Sequence, residues 1–241
     1  MTRPEPISAT APPLPGRTIA SQRWSDLAFL HWTVDSAAVA PLLPPGLVPD
    51  EFDGTTWVGL IPFVLDRATI FGSPPVPYFG TFVEVNVRLY AVDERGRRGV
   101  VFLSLEASRL AAVLAARAAF ALPYQWSRSS VVRSDGLFRY SARRHFAAEK
   151  HSEIVVRPST RQVIGDPLAE FLSARWGLFT SIRGTTTFLP NHHEPWTLYE
   201  AKLEHLDDTL VAAAGLPGVS IRPPDSVLYS PGVTTRFGSA T

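Results

Sequence analysis

Runs rich in aromatic and β-branched residues, several with strict apolar–polar alternation, dominate the chain from Gln22 onward. They predict strands over Trp24–Val34, Thr55–Phe71, Phe79–Val92, Val100–Ala107, Tyr124–Arg133, Leu137–Arg144, Ile154–Thr160, Trp176–Arg183, Thr185–His192 and Val227–Phe237. Pro62 marks an edge or a bulge in the second of these, because proline cannot donate to a ladder. Hairpins are expected across Asp93–Gly99, around Ser134-Asp135-Gly136 and at Gly184. Helical signals are fewer. Asp35 caps a short segment that Pro44-Pro45-Gly46 ends, and Ser108–Phe120 is alanine-rich and expected to be mostly buried. Asp166-Pro167 starts a helix through Ala174, and Asp207–Ala214 ends at Gly215. Trp196–Leu206 reads as either strand or helix. Many strands and few helices predict a mainly β fold, a curved antiparallel sheet with helices packed against it.

Residues 1–20 hold five prolines and no apolar periodicity, so an extended or disordered tail is expected before one domain at 21–241. Composition narrows the function. A 45% hydrophobic content suits a large core. Lys+Arg 23 against Asp+Glu 22 leaves a net charge of +1, which gives no case for nucleic acid. The absence of cysteine removes disulfides, thiolate metal sites and cysteine nucleophiles. With no secretory leader and no apolar run of about 20 residues, a cytoplasmic protein without a membrane partner is expected. Lys150 and Lys202 are the only lysines, so covalent amine chemistry has few candidates.

The segment Phe82–Tyr90 carries the most chemistry. Alternation places Glu84, Asn86 and Arg88 on one face and Val83, Val85, Val87 and Leu89 on the other. The polar face is either solvated or lines a cavity, where a carboxylate, an amide and a guanidinium would orient a carboxylate or an enolate. Tyr124 follows the proline that stops the alanine-rich helix and is either a core tyrosine or a proton donor, with Arg117 nearby. His192 and His193 point to opposite faces if extended, so they do not share a metal, and no metal site is expected. One of them is either a structural turn residue or an acid–base group. His31 reads as a core histidine. Ser104 and Glu106 would share the cavity of Glu84 if their strands pair. No nucleophile elbow, phosphate loop or dinucleotide fingerprint is present.

The segments QRWSDLAFLHWTVD (22–35), LLPPGLVPDEFDGTTWVGLIPF (42–63), FVEVNVRLY (82–90), GVVFLSLEA (99–107), ARAAFALPY (116–124) and HHEPWTLYEA (192–201) together resemble the DUF2071 (YqjF-like) family of the acetoacetate decarboxylase-like superfamily. The resemblance implies a curved, partly closed β-barrel with a pocket inside and outer helices. It also implies a pocket role for Glu84, because superfamily decarboxylases carry a glutamate on the corresponding strand. Those enzymes form a Schiff base through a lysine in a Gly-x-Pro-Lys-Lys-like stretch. Here Tyr124 and Gln125 fall at the two lysines, so that activity does not transfer. The expectation is an enzyme of lyase, dehydratase, cyclase or isomerase type acting on a small oxo, carboxylate or polyketide-like metabolite. Glu84 would be the acid–base group, Tyr124 a donor and Arg88 the anion holder. Asn86, Arg117, Glu106, Trp126 and His193 would bind substrate, with Trp24, Trp57 and Trp126 as aromatic walls. No cofactor is required. A non-catalytic binding protein is the alternative, and association into a homo-oligomer is allowed by the superfamily.

Overall fold

A computed structural model describes residues 3–74, 80–110, 113–114, 117 and 121–239. Among the described residues twelve strands follow in order: β1 Ala20–Val34, β2 Leu47–Pro49, β3 Thr56–Ile70, β4 Phe82–Asp93, β5 Arg98–Ala107, β6 Tyr124–Ser134, β7 Leu137–Arg144, β8 His151–Val163, β9 Gly177–Ile182, β10 Thr185–His192, β11 Leu198–Asp208 and β12 Ser226–Phe237. Short helices are α1 Ser36–Val39, α2 Pro167–Ser173 and α3 Leu210–Ala213. Asp35 and Asp166 cap the first two, each accepting from the backbone of the first turn. The expected helix 207–214 is shorter, because β11 continues to Asp208, and the ambiguous Trp196–Leu206 resolves as that strand. The described part of the alanine-rich segment is non-helical at Ser108 and Arg109 and helical at Leu110, Val113, Leu114 and Arg117; residues 111–112, 115–116 and 118–120 lie outside the described residues. Val113 is buried, whereas Leu110 and Leu114 are exposed, so the described residues turn one face to solvent rather than being mostly buried.

The strands form one strongly curved sheet with two closed circuits of pairing. One runs β12–β1–β3–β4–β5–β9–β10 and returns to β12. The other runs β12–β1–β3–β4–β5–β6–β7–β8–β11 and also returns to β12. The pairs β5–β6 and β5–β9 are parallel, so the sheet is mixed rather than purely antiparallel. Of the strands shared by both circuits, β4 and the stretches Leu27–Trp32 of β1 and Thr56–Phe63 of β3 are buried on both faces. Alternation then divides their side chains. Leu30, Trp32, Val58, Leu60, Val85 and Val87 pack into the larger apolar core with Tyr140 and Ile154. Their sequence neighbours face the other circuit, where the cavity lies.

Pro62 occupies the bulge rather than an edge: the β1–β3 ladder breaks between Ser25 and Leu30, and Asp26 takes a positive φ of 50° there. The Asp135-Gly136 hairpin turn has φ of 53° and 72°, as two-residue turns of this kind require. Residues 3–19, expected as an extended or disordered tail, form no helix or strand but are tied to the sheet. Glu5 N–H donates to Gly96 O (2.8 Å), Arg98 Nε to Glu5 O (2.7 Å), and Trp176 Nε1 to Ser8 O (2.9 Å).

Gly232 faces Ser25 across the β1–β12 ladder with φ of 118°. A Cβ there would lie 2.0 Å from Trp24 O. Gly232→Ala therefore combines strain with a backbone clash and is expected to lower the unfolding free energy by roughly 2–3 kcal/mol in urea denaturation.

Candidate functional site

The cavity, about 200 Å³, is lined from the strands of the first circuit and from the C-terminal end of α2. Glu84, Asn86 and Arg88 of β4 all face it, as strand alternation predicts. Tyr124 closes one side, where β6 starts alongside β5. Its backbone is fixed by Leu105 N–H donating to Pro123 O and by Arg117 Nε donating to Tyr124 O (2.6 Å). Arg117, expected at the substrate, is exposed and absent from the lining; its contact with this region is the bond to the Tyr124 backbone.

Glu84 is buried, and no cation pairs with it among the described residues. Burial pushes its carboxyl up to about 7, opposed by hydrogen bonds from Tyr124 and Asn86. The Tyr124 hydroxyl donates to Glu84 Oε2 at 2.9 Å. Desolvation and the adjacent carboxylate push that phenol well up, so it stays protonated at neutral pH. A carboxyl that titrates near 7 beside a protonated phenol supplies both halves of an acid–base pair. Asn86 Oδ1 is buried without a partner.

Arg88 reaches the polar end. Its Nε donates to Tyr90 Oη (3.1 Å) and Nη2 to Leu172 O (2.9 Å). Tyr90 Oη also donates to Leu172 O (2.9 Å) and bonds His31 Nε2 at 2.6 Å. With the phenol proton spent on Leu172, His31 is the donor, which leaves its Nδ1 as the atom without a partner. His31 is thus a core histidine, and burial holds its pKa well below the ordinary value. No carboxylate pairs with Arg88 among the described residues; aromatic faces of Phe29 and Tyr90 lie 5.6 and 5.5 Å from its guanidinium carbon.

His193 lines the cavity while His192 points away, where Arg236 Nη2 approaches its Nδ1. Trp24, Trp176 and Trp196 surround His193 with ring centroids 6.1, 4.6 and 4.7 Å away. Burial brings its pKa down to about 4, so it is neutral at pH 7. Among the described residues no group of three His, Asp or Glu side chains forms a metal site.

Two more expected site residues, Glu106 and Trp126, lie elsewhere. Glu106 pairs with Val85 across β4–β5, because a bulge between Val87 and Arg88 sets the register so that Leu105 and Phe102 face the cavity instead. It is buried on the other face, accepting from Ser104, Ser127 and Arg144, with Arg144 Nη2 at 2.7 Å. Trp126 stacks on His145 at 3.9 Å and does not line the cavity. Trp57 belongs to the packed core around Phe171 and Leu178. Of the three expected walls only Trp24 remains; Trp196, Phe63 and Phe237 join it. Sequence reading also missed Arg175, which lines the cavity two residues beyond α2. Its signal was a lone arginine in the apolar run after a capped helix. Both lysines lie outside the lining.

Residues 21–234 match the DUF2071 family, described as an uncharacterized conserved protein. The chain belongs to the DUF2071 family. It is 32% identical over 203 residues to the uncharacterized protein YqjF of Bacillus subtilis (strain 168), covering 83% of this chain and 84% of that one. Among solved structures it is similar to an acetoacetate decarboxylase-like enzyme from Sphingomonas wittichii RW1 (TM-score 0.64, 14% identity, 94% of this chain and 93% of that one). It is also similar to acetoacetate decarboxylase from Legionella pneumophila (TM-score 0.63, 14% identity, 100% and 92%). The enduracididine biosynthesis enzyme MppR gives a TM-score of 0.64 at 14% identity, covering 97% and 89%. The fold is therefore acetoacetate decarboxylase-like. No helix among the described residues is long and apolar enough to cross a membrane.

Because its folded pKa is raised from 4.5 to about 7, Glu84 favours folding below about 4.5 and loses that contribution as pH rises through 7. Glu84→Gln removes this dependence. The stability of wild type minus E84Q, from urea denaturation, is expected to fall by about 3 kcal/mol between pH 4 and pH 8. Arg144→Met strands the Glu106 carboxylate and is expected to cost about 3 kcal/mol in the same measurement.

Proposed function

We propose that the cavity is an active site for acid–base chemistry on a small oxo acid, without a covalent amine intermediate. The observation that carries this reading is the buried Glu84 carboxyl, unpaired by any described cation and accepting from the Tyr124 hydroxyl, in surroundings whose burial pushes it up to about 7. In its ionised form Glu84 removes a proton from the carbon next to a carbonyl. As Glu84 takes up that proton, the Tyr124 hydroxyl turns from it to donate to the oxygen on which charge develops, and Arg88 holds the substrate's carboxylate. Asn86 holds Glu84 and offers its free Oδ1 to an enol hydroxyl. Reprotonation from either face, or loss of a leaving group from the enolate, then gives the isomerase- or lyase-type outcomes.

MppR has been seen complexed with pyruvate, which supports a small oxo acid as the ligand of this fold. A polyketide of several rings exceeds a cavity of about 200 Å³. The apolar walls also suit binding without reaction; saturable binding with no exchange at carbon would make that the function.

Solvent deuterium incorporation beside the carbonyl of pyruvate, acetoacetate and phenylpyruvate, followed by proton NMR, tests the proposal. Exchange by wild type is expected to rise with pH through about 7, since the base must be ionised. Glu84→Gln is expected to slow it at least 100-fold and Tyr124→Phe about tenfold. Exchange in Glu84→Gln equal to wild type would remove the role of Glu84.

A further inference from the structure

Arg175 is more completely tethered than its neighbour Arg88 yet has one edge unspent. Its Nε donates to Phe171 O (2.8 Å) and its Nη1 pairs with Asp50, while Nη2 is buried with no partner. Asp50 also pairs with Arg98, so one carboxylate serves two guanidiniums. Arg88 adds a third cation, and no carboxylate pairs with it among the described residues. Arg88 and Arg175 both lie against the Tyr90 ring, at 5.5 and 4.7 Å from its centroid. This end of the cavity thus presents two guanidiniums, Arg88 and Arg175, with Asp50 and its second partner Arg98 behind Arg175. The C-terminal carbonyls of α2 offset part of that charge, since Phe171, Leu172 and Ser173 accept from Arg175, Arg88 and Trp196. A buried donor without a partner is costly, and this one belongs to a side chain of the cavity wall.

The rest of the wall is apolar and aromatic. Trp24 meets Phe63, Trp196 and Phe237 at ring-centroid distances of 5.9, 6.2 and 6.1 Å. Neutral His193 adds no charge to that side. A dry cavity of about 150 Å³ admits benzene. The volume here therefore suits one ring with a short acidic arm, and a two-carbon or three-carbon acid would leave the aromatic end unfilled.

We infer that the cavity takes a single-ring aryl acid, its carboxylate held by Arg175 Nη2 together with Arg88 and its ring packed against Trp24, Phe63 and Trp196. This assignment rests on the proposed use of the cavity as the functional site, and it is independent of whether Glu84 turns the ligand over. Arg175 becomes a ligand-binding residue and Asp50 its positioning residue.

Isothermal titration of the full chain with phenylpyruvate, phenylacetate, pyruvate and phenylacetamide tests it. Phenylpyruvate and phenylacetate are expected to bind, with pyruvate and the neutral amide each at least tenfold weaker. Arg175→Gln should weaken phenylacetate at least tenfold. Arg175→Lys, which keeps a cation beside Asp50 but lacks the second guanidinium edge, should lose part of that affinity, while thermal melts report folding of both variants. Trp24→Leu should weaken phenylacetate and leave pyruvate unchanged. Absence of binding by wild type, equal affinity for the amide or for pyruvate, or unchanged affinity in both Arg175 variants would overturn the assignment. Glu84→Gln separates the two ideas. Phenylpyruvate bound by Glu84→Gln without exchange supports both, whereas tight binding with exchange intact sinks only the acid–base role.

Discussion

Burial of a carboxyl group without a cation to balance it is the constraint around which this molecule is organised. Water stabilises an ionised carboxylate strongly, and a protein interior replaces that only with charge or with several donors. Glu84 has two neutral neighbours, Tyr124 and Asn86, and the balance falls near neutral pH. Everything that holds the cavity open around it bears on that balance. The sheet must close as a circuit, β4 must be covered on both faces, and the bulge at Asp26 must turn β1 over Pro62.

Two other buried carboxylates show how environment separates roles within one fold. Glu106 is one residue along β5 from the cavity-lining Leu105 but faces the other circuit, where Arg144 and two serines satisfy it. Asp50 is shared by Arg98 and Arg175. It also links the cavity to the N-terminal segment, because Arg98 Nε donates to Glu5 O as well. Both have the guanidinium partners that Glu84 lacks, and both serve to build structure around the site. Separation of carboxyl environments in this way is how one interior supports both scaffold and chemistry.

Much of this was legible from local pattern. The Phe82–Tyr90 ribbon divides its faces by alternation alone, and Asp135-Gly136, Asp166-Pro167 and the opposed His192 and His193 follow from equally local rules. The cavity reading of Glu84 needed the family resemblance as well, since alternation cannot say whether a polar face meets water or a hollow. What failed depended on register or on distant approach. The Glu106 expectation broke on a bulge in the β4–β5 ladder. Trp57 and Trp126 are aromatic residues whose neighbours come from far along the chain, so sequence could not say which wall they would join. Arg175 gave only a faint signal because its partners, Asp50 and Tyr90, lie on strands or loops remote in sequence.

The central claim is a titration, and it is open to direct observation. Carbon NMR of side-chain carboxyls in protein labelled at glutamate, assigned by comparison with Glu84→Gln, follows Glu84 through pH. A midpoint near 7 is expected, moving higher in Tyr124→Phe as a stabilising hydrogen bond to the carboxylate is lost. A midpoint near the ordinary 4.5 in wild type would contradict a desolvated acid–base group at the heart of the cavity.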